Sequence, residues 1–216
     1  MSLKSTFLLT LSVFALGVTS ANAEVFYWKD ADTKMSFTYP DRWDVRHNQR
    51  PDDIYAVAAP GVNNHAICRL RVRDDKRFAV YPEYFANNIQ RIAYSNDFWD
   101  SYLGEYNDVT MRRVYDDAGL GRGFASFAEA DYTTALGPKM EKRAIMFASL
   151  YNNNAYILEC SAEKHSYHKW HNSFLSVVKS VNFRKEINEA KNGYYRNFYG
   201  GNLIIRGEKD TDVSAY

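Results

Sequence analysis

Ile67-Cys68-Arg69-Leu70-Arg71-Val72-Arg73 alternates an apolar and a charged side chain at almost every step. Successive side chains of an extended strand point to opposite faces. Cys68, Leu70 and Val72 therefore share one face, and Arg69, Arg71 and Arg73 share the other. Such a pattern describes a half-buried antiparallel strand. Upstream, apolar runs predict strands at 25–29, 35–39 and 54–59, stopped by the turn-prone Asp30-Ala31-Asp32, by Pro40 and by Pro60-Gly61. Downstream, four more are expected at 109–115, 124–132, 143–151 and 155–162. Their connectors are hairpin-like: Asp116-Asp117-Ala118-Gly119, Gly137-Pro138 and Asn152-Asn153-Asn154. In the last strand Tyr156, Leu158, Cys160 and Ala162 fall on one face.

Two segments have helical spacing instead. Pro82 suits a first helical position. Phe85, Ile89, Ile92, Trp99 and Leu103 then recur at three- and four-residue steps until Gly104. Asn96 interrupts this stripe, giving one helix over 82–103 or two joined near Ser95–Asp97. Tyr167, Trp170, Phe174, Val177, Val178 and Val181 mark a second amphipathic helix over 164–181. The expected fold class is α+β: an antiparallel β-sheet of about six to seven strands flanked by these two main helices.

The ends read differently. Lys4, an apolar run from Phe7 to Val18 and Ala21-Asn22-Ala23 have the order of a secretory signal peptide cut after Ala23. That run is shorter than a helix needs to cross ~30 Å of hydrocarbon. The expected organisation is a leader at 1–23, a single domain at 24–183 and a glycine-containing tail at 184–216. The tail carries an aromatic cluster with Tyr194, Tyr195, Phe198 and Tyr199. Loss of Lys4 brings the formal net charge from +1 to zero, which disfavours a nucleic-acid binder. The 17 tyrosines suit a broad sheet with half-wet rings. Cys68 and Cys160 are the only two cysteines. In an exported protein an isolated pair reads as a disulfide, closing a loop worth about 4–5 kcal/mol on the chain-entropy model. Both also sit on the apolar sides of their strands. Export to the periplasm or the extracellular space is the expected localisation.

Met35-Ser36-Phe37-Thr38-Tyr39-Pro40 followed by Trp43 resembles the F-x-[FY]-P-x-x-W segment of PsbP-like proteins and their bacterial relatives. The ending is similar too: a strand, a helix carrying Phe174 and Val178, then Ser180-Val181-Asn182-Phe183. The resemblance spans about 25–183. It implies an antiparallel sheet flanked by helices, export in many bacterial members, and a non-enzymatic accessory or binding role. The matching positions are structural, so it transfers no functional residue.

Candidate chemistry is sparse. His165, His168 and His171 stand at helical steps of three, so neighbours can approach each other as a weak metal site, or simply form a solvated face. Gly119-Leu120-Gly121-Arg122-Gly123 precedes a strand rather than a helix, so it reads as a connector and not a phosphate loop. The acid pairs Asp52-Asp53, Asp74-Asp75 and Asp116-Asp117 read as turn formers. Arg69, Arg71 and Arg73 form a row suited to phosphate or carboxylate, or to pairing with neighbouring acids. No catalytic residue and no cofactor is assigned. Three readings follow. The first is a non-catalytic exported accessory protein that contacts a protein or anionic envelope component through the arginine row or the aromatic tail. The second is a small-ligand or metal binder with a pocket between sheet and helix near His168 and His171. The third is an envelope enzyme of unrecognised class.

Overall fold

The computed structural model describes residues 24–47, 50–61 and 65–185. The leader at 1–23 and the aromatic cluster at 194–199 lie outside the described residues.

Among the described residues there are nine strands and three helices; all but a short strand at 44–45 follow the expected order. Strands β1 (Val25–Lys29) and β2 (Ser36–Pro40) pair with each other as a separate two-stranded ribbon. The main sheet contains β3 (Asp44–Val45), β4 (Asp53–Ala58), β5 (Ile67–Asp74), β6 (Asn107–Leu120), β7 (Gly123–Thr133), β8 (Glu141–Tyr151) and β9 (Asn154–Glu163). Its seven strands run in the order β3-β4-β5-β9-β8-β7-β6, each antiparallel to its neighbour. The fold is α+β. The β8–β9 turn shows the local chemistry well: Asn152 and Asn153 both take positive φ, 48° and 61°, as a two-residue hairpin matching strand twist requires.

One connector differs from the sequence expectation, and the 82–103 segment takes the two-helix form of its expectation. Asp116-Asp117 is not a turn, because β6 continues to Leu120 and absorbs the pair at an irregularity between Tyr115 and Ala118. The turn falls at Gly121-Arg122, where Gly121 has φ 58° and a Cβ would meet the Phe183 ring at 2.9 Å. The 82–103 segment is interrupted. A 3₁₀ turn at Glu83–Phe85 leads into α1 (Ala86–Ala93), and Tyr94 leaves helical geometry before α2 (Asn96–Leu103). Tyr94 is buried and its hydroxyl donates to Asp75 at 3.2 Å, which fixes the break by tertiary contact. The final helix, α3, spans Tyr167–Ser180.

The sheet carries a core on each face. On one, Cys68, Leu70, Phe127, Phe147, Leu158 and Cys160 meet α3 through Phe174, Val177 and Val178. The β1–β2 ribbon closes this core with Met35 and Phe37, and an isolated bridge from Ser36 to Asn182 ties it to the end of α3. Fully burying each such side chain contributes about 1.5–3 kcal/mol. Cys68 and Cys160 are directly opposed on β5 and β9 and form a disulfide inside this core. On the other face Ser126, Ala128, Ala130, Ala144 and Ala148 make a shallow floor on which α1 and α2 rest. Trp99 is fully buried there, its indole N–H donating to Ser126 Oγ at 2.8 Å. The helix pair leaves one end of this second face open.

Candidate functional site

The open end is a cleft of about 770 Å³. Strand β5 supplies its floor, because the parity that sends Cys68 and Leu70 into the first core sends Arg69, Arg71 and Arg73 to this face. The row runs from solvent to interior: the side chains are 52 % exposed at Arg73, 5 % at Arg71 and 12 % at Arg69. Each has a carboxylate partner. Arg73 Nε donates to Asp52 at 3.0 Å, Arg71 Nε to Asp53 at 2.8 Å, and Arg69 Nη2 to Glu159 at 2.7 Å.

Glu159 is the anchor. It stands opposite Arg69 in the β5–β9 register and is 1 % exposed. It accepts from Arg69, from the Tyr102 hydroxyl at 2.8 Å and from the Tyr132 hydroxyl at 2.9 Å. Burial opposes its charge, but Arg69, Arg50 and these hydroxyl hydrogen bonds outweigh burial and hold its carboxyl at about 2. The aromatic wall is equally ordered. Tyr106 stacks on Tyr132 with ring centroids 3.9 Å apart, Arg50 lies 5.0 Å over the Tyr106 ring, and Arg71 lies 5.0 Å over Tyr102. Arg50 also pairs with Glu105 and donates to the Tyr106 hydroxyl.

Six cations line the cleft: Arg46, Arg50, Arg69, Arg71, Arg73 and Lys142. Asp52 and Glu105 share the lining, with Asp53 and Glu159 bonded to the arginines beneath. Lys142, on β8 opposite Tyr132, is 6 % exposed. Burial, then the nearby Arg69, pushes its amine down to about 8. Alanines 58, 59 and 66, with Ile67 and Met140, form the apolar remainder.

No family model matches the chain, and neither does any curated protein. Among solved structures it is similar to PsbP (CyanoP) of the cyanobacterium Synechocystis sp. PCC 6803, at 10 % identity and a TM-score of 0.48, covering 77 % of this chain and 96 % of that one. It is also similar to LpqN of Mycobacterium tuberculosis, described as involved in cell envelope biogenesis, at 9 % identity and a TM-score of 0.47, covering 75 % of this chain and 91 % of that one. Among the described residues no helix is long and apolar enough to cross a membrane.

The arginine row is thus brought together with buried and half-buried acids and becomes part of one cleft. The histidines do not converge. His165 faces Glu163 at 3.2 Å, His171 Nδ1 is 3.1 Å from the Tyr167 hydroxyl, and His168 is exposed. Among the described residues no group of three or more His, Cys, Asp or Glu side chains is placed to hold a metal ion. The cleft also lies on the face away from α3, so His168 and His171 do not border it. Sequence reading did not single out Arg50, Tyr102, Tyr106, Tyr132, Lys142 or Glu159. Glu159 left a signal: it is a lone acid between Leu158 and Cys160, on the strand face opposite the apolar set.

Proposed function

We propose that this is an exported, non-catalytic accessory protein that holds an anionic envelope component, phosphate- or carboxylate-bearing, in the arginine cleft. One observation carries the reading: six cationic side chains converge on a single cavity whose four associated carboxylates leave positive charge over. A cavity of this volume falls in the range of small-molecule sites, which run to about 1,000 Å³, but those are lined mainly by apolar groups. Here five guanidinium groups share the lining with apolar side chains, and their planar donor forks fit phosphate and carboxylate oxygens. The stacked tyrosines hold that array in place before any ligand arrives, which reduces the ordering cost of binding. Export is supported by the leader-like sequence at 1–23 and by a disulfide of the kind that persists outside the cytoplasm. Periplasm or extracellular space is the corresponding compartment.

The test is equilibrium binding of the mature chain to phosphatidylglycerol vesicles and to polygalacturonate, with phosphatidylcholine vesicles and neutral dextran as controls. Anionic probes should bind at least tenfold better than neutral ones at low salt, and added salt should weaken that binding. The double variant Arg46→Glu, Arg50→Glu should lose the preference. Equal binding to charged and neutral probes, or an unchanged preference in the double variant, contradicts the reading.

A further inference from the structure

Among the described residues, three nitrogen donors in the cleft have no hydrogen-bond partner. Arg69 Nε and Arg71 Nη2 are buried without one, although Arg69 Nη2 reaches Glu159 and Arg71 Nε reaches Asp53, and Glu105 stands 3.9 Å from Arg71 Nη2. The Lys142 amine has neither a hydrogen bond nor an ion pair among the described residues, while its side chain lines the cavity. Its cross-strand neighbours are Tyr132 on β7 and Glu163 on β9. Glu163 turns instead to His65 at 3.5 Å and His165 at 3.2 Å. The other charged or titratable groups around the amine are Arg69 on β5, Glu159 on β9, Arg50 ahead of β4, and Glu105 and Tyr106 after α2. Glu159 already accepts from four donors and Glu105 is engaged by Arg50.

A lysine only 6 % exposed whose amine has no protein partner is costly, and a methionine would fill similar space without that cost. What the position lacks is a negative charge arriving from the cavity. Resting on the arginine-cleft reading, we propose that Lys142 and Arg69 form the contact point for a fully ionised oxyanion group, a phosphate, sulfate or carboxylate, and that Lys142 takes up a proton as the group binds. The linkage follows from ordinary electrostatics. Burial and Arg69 hold the empty-site amine at about 8. An anion beside it favours the charged form, so the bound-state value rises and protons bind with the ligand. At pH 8 this amounts to about half a proton per anion bound, and near pH 6, where the amine is already charged, to almost none.

The experiment is isothermal titration of the mature chain with sulfate, which does not itself titrate in this range, in buffers of different ionisation heat at pH 6 and pH 8. A parallel arm uses phosphatidylglycerol vesicles. Uptake near half a proton at pH 8 and near zero at pH 6 is the expected result. With sulfate, it shows that a free oxyanion suffices; with vesicles alone, that the group must be carried on a headgroup. Lys142→Met should abolish the uptake and weaken binding at pH 6 by tenfold or more, whereas Arg46→Ala, which removes a cavity cation that does not act on the amine, should weaken binding and leave the uptake in place. Binding that Arg46→Glu, Arg50→Glu removes, but with no proton uptake at pH 8 and no response to Lys142→Met, overturns the role of Lys142 and leaves the cleft reading standing. Absence of binding by both probes to the unaltered chain overturns both.

Discussion

The two faces of the main sheet are built from the same strands and end in opposite states. The face under α3 is sealed: Phe174, Val177 and Val178 share one buried cluster with Phe127, Phe147 and Leu158, and the Cys68–Cys160 bridge lies within. The face under α1 and α2 is closed only where small side chains let Trp99 and Leu103 approach. Beyond that floor come Arg69, Glu159, Tyr132 and Lys142, and the cavity opens. The contrast teaches that one residue of register separates a buried staple from the cleft proposed to bind. Cys68 and Arg69 are adjacent in β5, as Cys160 and Glu159 are in β9, yet one pair staples a core and the other anchors a charged cleft.

The largest effects should come from the buried groups of each face. Replacing both cysteines by alanine should cost about 4 kcal/mol in urea unfolding, since the bridge closes a loop of 92 residues. Anion binding should survive wherever the variant remains folded, because no ligand contact is touched. On the cleft side, Glu159→Ala should cost about 3–5 kcal/mol, because it strands a buried guanidinium and two tyrosine hydroxyls.

Acid should separate the two faces further. The Glu159 carboxyl is held below its unfolded value, so its stabilisation is complete above about pH 4.5 and is lost as pH falls through about 2. Stability measured from pH 5 to pH 2 should fall by on the order of 3 kcal/mol from this group, and Glu159→Gln should flatten that portion of the curve. Lys142 has the opposite sign. Its folded value lies below 10.5, so its penalty is fully present below pH 8 and lifts as pH rises towards 10.5. Lys142→Met should therefore stabilise the protein by about 2–3 kcal/mol at pH 7, with the gain disappearing above pH 10.5. The smallest effect belongs to the rim. Arg73→Ala removes a half-exposed pair with Asp52 and should cost less than about 1 kcal/mol.

Legibility in the sequence followed locality. The two-residue rhythm of 67–73 and 155–162 placed both strands, and their parity predicted that Cys68 and Cys160 face a shared core. The arginine row was equally visible. Its meaning was not, because Asp52, Asp53 and Glu159 reach it through cross-strand pairing, and Tyr102 and Tyr106 reach it through the fold-over of α2. Lys142 was hidden for a different reason. A lysine at the start of an amphipathic strand ordinarily marks a solvent edge, and only the packing of β7, β9 and the cleft walls buries it. The Asp116-Asp117 turn misplaced the β6–β7 hairpin because a bulge and a turn use the same small and polar residues.

The most direct test of an anion-binding cleft on the open face is an amide chemical-shift titration of the mature protein with sulfate. The account predicts saturable shifts confined to the segments carrying Arg50, Arg69, Arg71, Tyr106 and Lys142, with α3 and the β1–β2 ribbon silent. Shifts centred on α3, or weak non-saturating shifts scattered over the surface, would contradict it.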